Sequence, residues 1–131
     1  MKLGYTIVYV ESVQNSLAFY ERAFGLKTRF LHESNEYGEL ETGDTALAFA
    51  SHAMGDMNFG ENHYQKAQRD TLPLGIEIAL VTDDVDAAFA KAIAAGAQIV
   101  SEPEQKPWGQ NVAYVRDDSG VLVELCSPIG A

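Results

Sequence analysis

The 131-residue sequence has little of three things: it contains a single cysteine (Cys126), a single tryptophan (Trp108) and only four prolines. One thiol cannot close an internal disulfide, so a stapled secreted scaffold is excluded and a reducing compartment, the cytoplasm, is expected. No uninterrupted apolar run approaches the roughly eighteen residues of a membrane span, and the N-terminal MKLGYTIVYVES alternates apolar with polar residues instead of following a signal-peptide layout. Basic residues are also scarce, with 9 Lys and Arg against 19 Asp and Glu and a net charge of −10. Such a surface repels phosphate backbones and anionic lipid, so neither nucleic acid nor membrane is expected as a partner. It is compatible with a cationic ligand or a bound metal, but a solvated acidic surface that keeps the protein soluble is the plainer reading. Serine-hydrolase elbows, phosphate-binding loops and closely spaced cysteine pairs are missing as well.

What is present is enough for one compact domain, expected to span 1–131: 47 % of the residues are hydrophobic and 21 % charged. YTIVYV, from Tyr5, reads as a strand. Ser12 or Asn15 can then cap a helix with Val13, Leu17, Tyr20 and Phe24 on one face, closed by Gly25. LKTRFLHES, EYGELET and DTALAFAS follow as three strands, broken at Asn35 and at Gly43-Asp44. GIEIALVT then restarts the order, with Asp84 capping a helix of Val85, Ala88, Phe89 and Ala92 that Gly96 ends. AQIVSE, QNVAYVRD and GVLVELCS supply three more strands. VESVQNSLAFYERAFG answers TDDVDAAFAKAIAAG, and TGDTALAFAS answers DSGVLVELCS. The pattern predicts an α+β domain of two pseudo-symmetric strand-helix-three-strand modules, about 1–51 and 75–131. Residues 52–74 read as a loop, a linker or a lid, whose Met54, Met57, Phe59 and Tyr64 either cover a pocket or pin the loop to the core.

Strand side chains alternate between faces, so parity sorts each strand into a helix-packed side and an open side. Thr6, Val8 and Val10 take the helix side in the first strand and Ile76, Ile78 and Leu80 in its repeat. Tyr5, Ile7, Tyr9, Glu77, Ala79 and Val81 are then open. In the last strands of the modules Leu47, Phe49, Val121, Val123 and Leu125 face the core, against Ala46, Ala48, Ala50, Leu122, Glu124 and Cys126. Tyr5 corresponds to Glu77 and Ala48 to Glu124, so two carboxylates share the open face of the second module. The alanines are expected to leave space there for a ligand.

Other residues qualify less directly. Trp108, in KPWGQ, tips a loop and can stack on a planar ligand or plug a core or interface. His52 continues the parity of Ala46, Ala48 and Ala50, which puts it near the rim of the open face as a base, a ligand or a surface histidine. Tyr114 reads as a core residue, with a hydroxyl on the open face as the alternative. Cys126 shares the face of Glu124, and nothing in the sequence activates its thiol. Asp117 and its neighbours in RDDSG read as a structural turn.

FYERAFGL, VTDDVDAAFAKAIAAGA and PWGQNVAYVRDDSGVLVEL resemble the vicinal oxygen chelate superfamily, which holds glyoxalase I, bleomycin-resistance proteins, fosfomycin-resistance enzymes and extradiol dioxygenases. The resemblance covers nearly the whole chain. It implies paired βαβββ modules forming a cup-shaped mixed sheet with helices on the outer face, and a homodimer. It also implies that a divalent metal, where one is bound, is held at the places of Tyr5, Ala48, Glu77 and Glu124. Glyoxalase I has His or Gln, Glu, His and Glu at those places, so only Glu124 keeps the family's residue type. Two functions follow as expectations. One is a small-molecule-binding protein that takes an aromatic or cationic organic ligand on Tyr5, Glu77, Trp108, Glu124 and His52. The other is a divalent-metal-dependent lyase, isomerase or dioxygenase in which Glu77 and Glu124 are the catalytic or metal-ligating candidates.

Overall fold

A computed structural model describes residues 1–130. Two compact units divide the chain between Ala67 and Gln68. The first holds strand β1 (Tyr5–Val10), helix α1 (Val13–Phe24), strands β2 (Thr28–Leu31), β3 (Tyr37–Leu40) and β4 (Ala46–Ser51), and helix α2 (His52–Phe59). The second holds β5 (Glu77–Val81), α3 (Val85–Ala94), β6 (Gln98–Gln105), β7 (Asn111–Arg116) and β8 (Leu122–Cys126). Each unit folds into a four-stranded mixed sheet of the same order, β1-β4-β3-β2 and β5-β8-β7-β6, with the first strand parallel to the last. The expected α+β class and the duplication are both present.

Local signals account for the helix ends. The Ser12 side chain accepts from the Asn15 N–H at 3.2 Å and caps α1, while Gly25 closes it in the left-handed region at φ 72°. Asp84 does the same for α3, accepting from the Ala87 N–H at 3.0 Å. Helix α1 packs on β2, β3 and β4, and α3 on β6, β7 and β8, so each sheet has one helix-covered face. Val10, Leu40, Phe49, Val115 and Val123 are fully buried there. Parity therefore holds along the strands, but Ile76 lies outside β5 and is 62 % exposed, so it does not reach the helix as expected.

The β7–β8 turn is built on Asp117. This fully buried carboxylate accepts from the Ser119 and Val121 N–H groups at 2.9 Å, and Gly120 takes φ 88° beside it. The turn sets the register that pairs Tyr114 with Glu124.

Two expectations fail in the first unit. The segment after β4 does not begin as a loop, because α2 fills His52–Phe59; residues 60–76 carry neither helix nor strand. Ser51 caps it by accepting from the Met54 N–H at 3.1 Å, a signal hidden by the strand-like run before it. Tyr64 holds it from outside, its single hydroxyl proton shared between the His52 carbonyl at 3.0 Å and Asp56 Oδ1 at 3.1 Å. Tyr9, Phe59 and Tyr64 form an aromatic cluster with centroids 5.4 to 5.9 Å apart, which pins the segment to β1. Secondly, Ala46, Ala48 and Ala50 leave no open floor. They are at most 3 % exposed, because longer ladder partners (Ile7, Tyr9, Tyr37 and Glu39) flank them and α2 packs on β4.

Gly55 is where α2 and the aromatic cluster meet: a Cβ there would lie 2.6 Å from the Tyr64 hydroxyl and 3.1 Å from the Tyr9 ring. Alanine in mid-helix ordinarily gains up to about 1 kcal/mol over glycine, whereas overpacking costs about 1–3 kcal/mol. Gly55→Ala is therefore expected to destabilise the protein by about 1 kcal/mol or more in urea denaturation. Stabilisation by the variant would show that Tyr64 is not fixed against α2.

Candidate functional site

The open face of the second unit carries the strongest grouping of polar side chains. Parallel pairing puts Glu77 opposite Leu122 and Ala79 opposite Glu124, so the two glutamates sit one diagonal apart on the same face. Their carboxyl groups are hydrogen-bonded to each other. Tyr114, across the β7–β8 ladder, donates its hydroxyl proton to Glu124 Oε1 at 3.0 Å. Cys126, buried two residues further along β8, adds its thiol as another donor to Glu124.

The electrostatics follow from this arrangement. The bond to Glu124, then desolvation, then the charge of Glu124 push the Glu77 carboxyl up to about 6. Desolvation would also raise Glu124, but hydrogen bonds from Glu77, Cys126 and Tyr114, with the nearby charge of Lys106, outweigh it and hold that carboxylate below the usual range. One proton shared by two carboxyls separates them in this way. Desolvation and the bond to Glu124 push Tyr114 up to about 12 and Cys126 up to about 11. Both stay protonated at neutral pH and act as donors to Glu124, so the thiol is not poised as a nucleophile.

The other expected residues are distributed as follows. Trp108 stands at the turn between β6 and β7, 64 % exposed, with its indole N–H donated to Gln110 Oε1 at 2.8 Å. Tyr5 lies on β1, in the first unit, 60 % exposed and opposite Ala46. His52 does not extend β4 toward a rim; it is the first residue of α2, because the Ser51 cap turns the chain there. Its Nδ1 is buried without a hydrogen-bond partner, and desolvation, helped by Lys66, holds the ring below the usual histidine range and hence neutral at pH 7.

Three residues of these faces escaped the sequence reading. Tyr114, for which core burial was favoured, is half-buried with its hydroxyl on Glu124. Its place was recoverable by counting back across the RDDSG turn from Glu124. Glu39 faces Ala48 across the β3–β4 ladder, accepts from the Tyr37 hydroxyl at 2.8 Å and lies 3.7 Å from Arg29. It stands where Tyr114 stands in the second unit, so the first unit has its open-face carboxylate one strand away from the expected place. Gln110, 8 % exposed, carries no periodicity that marks it.

The metal implied by the family resemblance requires a ligand set that these residues do not supply. Ala48 has no donor atom, and Glu77 and Glu124 are engaged with each other. Among the described residues no three His, Cys, Asp or Glu side chains come together to hold an ion. Two carboxylates alone leave most of an octahedral shell to water.

Sequence comparison finds relatives along the whole chain. YraH of Bacillus subtilis (strain 168) is 25 % identical over 126 residues, covering 95 % of this chain and 97 % of YraH. CFP32 of Mycobacterium tuberculosis is 28 % identical over 115 residues, 86 % of this chain but 39 % of CFP32, so the chain spans about two fifths of that relative. Among solved structures, a glyoxalase-related enzyme from Fulvimarina pelagi superposes with a TM-score of 0.81 at 19 % identity, covering 100 % of this chain and 94 % of that one, a likeness of fold. Residues 2–125 match the family model of the glyoxalase/bleomycin resistance protein/dioxygenase superfamily, and the chain belongs to that superfamily.

Proposed function

We propose that the protein is a small-molecule-binding member of its superfamily that takes an organic cation with a planar or aromatic group, held by Glu77 and Glu124 and stacked on Trp108. The observation that carries this reading is the environment of Glu77. It is raised to about 6, so it is ionised at neutral pH, yet the groups acting on it are Glu124 and the desolvating protein, with no cation among them. A ligand cation would supply the missing countercharge at a partly desolvated carboxylate pair, where charge-assisted hydrogen bonds are stronger than in water. An exposed indole offers a cation–π and stacking surface. Tyr114 supports the reading by bonding Glu124 at 3.0 Å, so Glu77 is the member of the pair that loses its proton as pH rises through about 6 and can then pair with a ligand cation. The four places of the family's metal shell support no Lewis-acid reading here, because Ala48 and Tyr5 occupy two of them.

Binding measured by calorimetry with N-methylquinolinium and neutral quinoline at pH 8 tests this proposal. The cation is expected to bind at least about tenfold more tightly, which is worth about 1.4 kcal/mol. Equal affinities would remove the charge-pairing reading. Because Glu77 protonates near 6, affinity for the cation is expected to fall about tenfold between pH 7.5 and pH 5.

The same group predicts a stability effect. A carboxyl raised in the folded state binds its proton more tightly than in the unfolded chain, so its contribution is present below the ordinary carboxylate value of 4.5 and lost as pH rises through about 6. Glu124, lowered, acts in the opposite sense below that window. Glu77→Gln keeps a donor to Glu124 at every pH. It is expected to stabilise the protein at pH 8 by at most about 1 kcal/mol, since Glu77 is solvent-exposed, and to leave stability at pH 4 nearly unchanged. Thermal melts of the two proteins at both pH values measure the difference, and a variant less stable at pH 8 would contradict the assignment.

A further inference from the structure

Gln110 is one of three buried polar or charged side chains among the described residues, with Ser16 and Asp117, and it joins two parts of the second unit. Its Oε1 accepts from the Trp108 indole N–H at 2.8 Å, and its Nε2 donates to the Ser127 carbonyl at 2.8 Å, just past the end of β8. Cys126, at the end of β8, lies close enough that both Gln110 and Glu124 act on its titration.

An exposed indole has no need of such a partner, because water satisfies its N–H. Burying an amide is costly unless both its ends are bonded, and here both are. The indole is 64 % exposed and carries one hydrogen bond to a buried, doubly bonded amide. The turn itself is fixed independently, by the Lys106 N–H on the Gln110 carbonyl at 2.8 Å and the Gly109 N–H on the Lys106 carbonyl at 2.9 Å. The Gln110 side chain thus links the ring to Ser127, while the hydrogen bonds within the turn are made by backbone groups.

We infer that Gln110 is a positioning residue which presets the Trp108 ring beside the end of β8, so that the site favours planar aromatic cations over compact aliphatic ones. This rests on the proposed cation-binding reading. Ordering one large side chain in advance is worth up to about tenfold in affinity, and only for a ligand that stacks on it.

The test uses the full chain, with Trp108 as its sole tryptophan. Time-resolved fluorescence anisotropy is measured for the wild type, Gln110→Met and Gln110→Ala, each shown to be folded by circular dichroism. In the wild type the ring is expected to follow overall tumbling, and in both variants a fast additional decay is expected. N-methylquinolinium should bind the variants about tenfold more weakly, while tetramethylammonium binds them as it does the wild type. Unchanged anisotropy in both variants overturns the inference, as does an equal loss for the two cations. If the wild type binds neither cation, the ligand reading fails and with it the selectivity claimed for Gln110, while the anisotropy still decides whether Gln110 fixes the ring.

Discussion

The second unit depends on the parallel pairing of β5 with β8, two strands separated in sequence by α3, β6 and β7. A parallel ladder cannot be closed by a short turn, so its register has to be fixed from outside. Asp117 fixes it on one side, by shaping the turn that sets β8 against β7. Asp84, two residues after Thr82, fixes it on the other by capping α3, and the Thr82 N–H reaches the Cys126 carbonyl at 2.8 Å. A slip of one residue would send Glu77 to the helix-packed face, where an unpaired carboxylate cannot be solvated. The site is thus a consequence of register before it is a matter of side-chain chemistry.

The duplicated first unit shows what the same register does with different residues. Its open face has Tyr5 and Ala48 at the places of Glu77 and Glu124, and its carboxylate, Glu39, comes from the neighbouring strand. Arg29 and Tyr37 already neutralise and bond that carboxylate, and α2 with its aromatic cluster covers part of the sheet. The charged side chain that acts on Glu77 is another acid, Glu124. The two units share one architecture and differ in how their open-face carboxylates are partnered, by Arg29 and Tyr37 in the first and by a second glutamate in the second.

Much of this was legible in the sequence. Alternation along YTIVYV, IEIALV and GVLVELCS assigned the strand faces, the Ser12 and Asp84 caps gave two helix starts, and the repeat paired Glu77 with Glu124. Misreadings arose where tertiary contacts override local signals. Helix α2 follows a strand without a break and is held by Tyr64 from twelve residues away, a distance no window captures. The alanine row reads as empty space in one dimension and is filled by longer neighbours from adjacent strands. Gln110 and Glu39 owe their roles to cross-strand partners, which appear only once the register is known.

The central claim is that Glu77 and Glu124 share a proton which Glu77 releases near pH 6. Carbon-detected NMR titration of the glutamate side-chain carboxyls, in the wild type and in Glu124→Gln, measures this directly. Glu77 should titrate near 6 in the wild type, and Glu124 below the usual range. Replacing Glu124 removes the neighbouring charge and should bring Glu77 back toward an ordinary carboxylate value. A Glu77 that titrates in the ordinary range in the wild type, or one that does not respond to the loss of Glu124, would contradict the account.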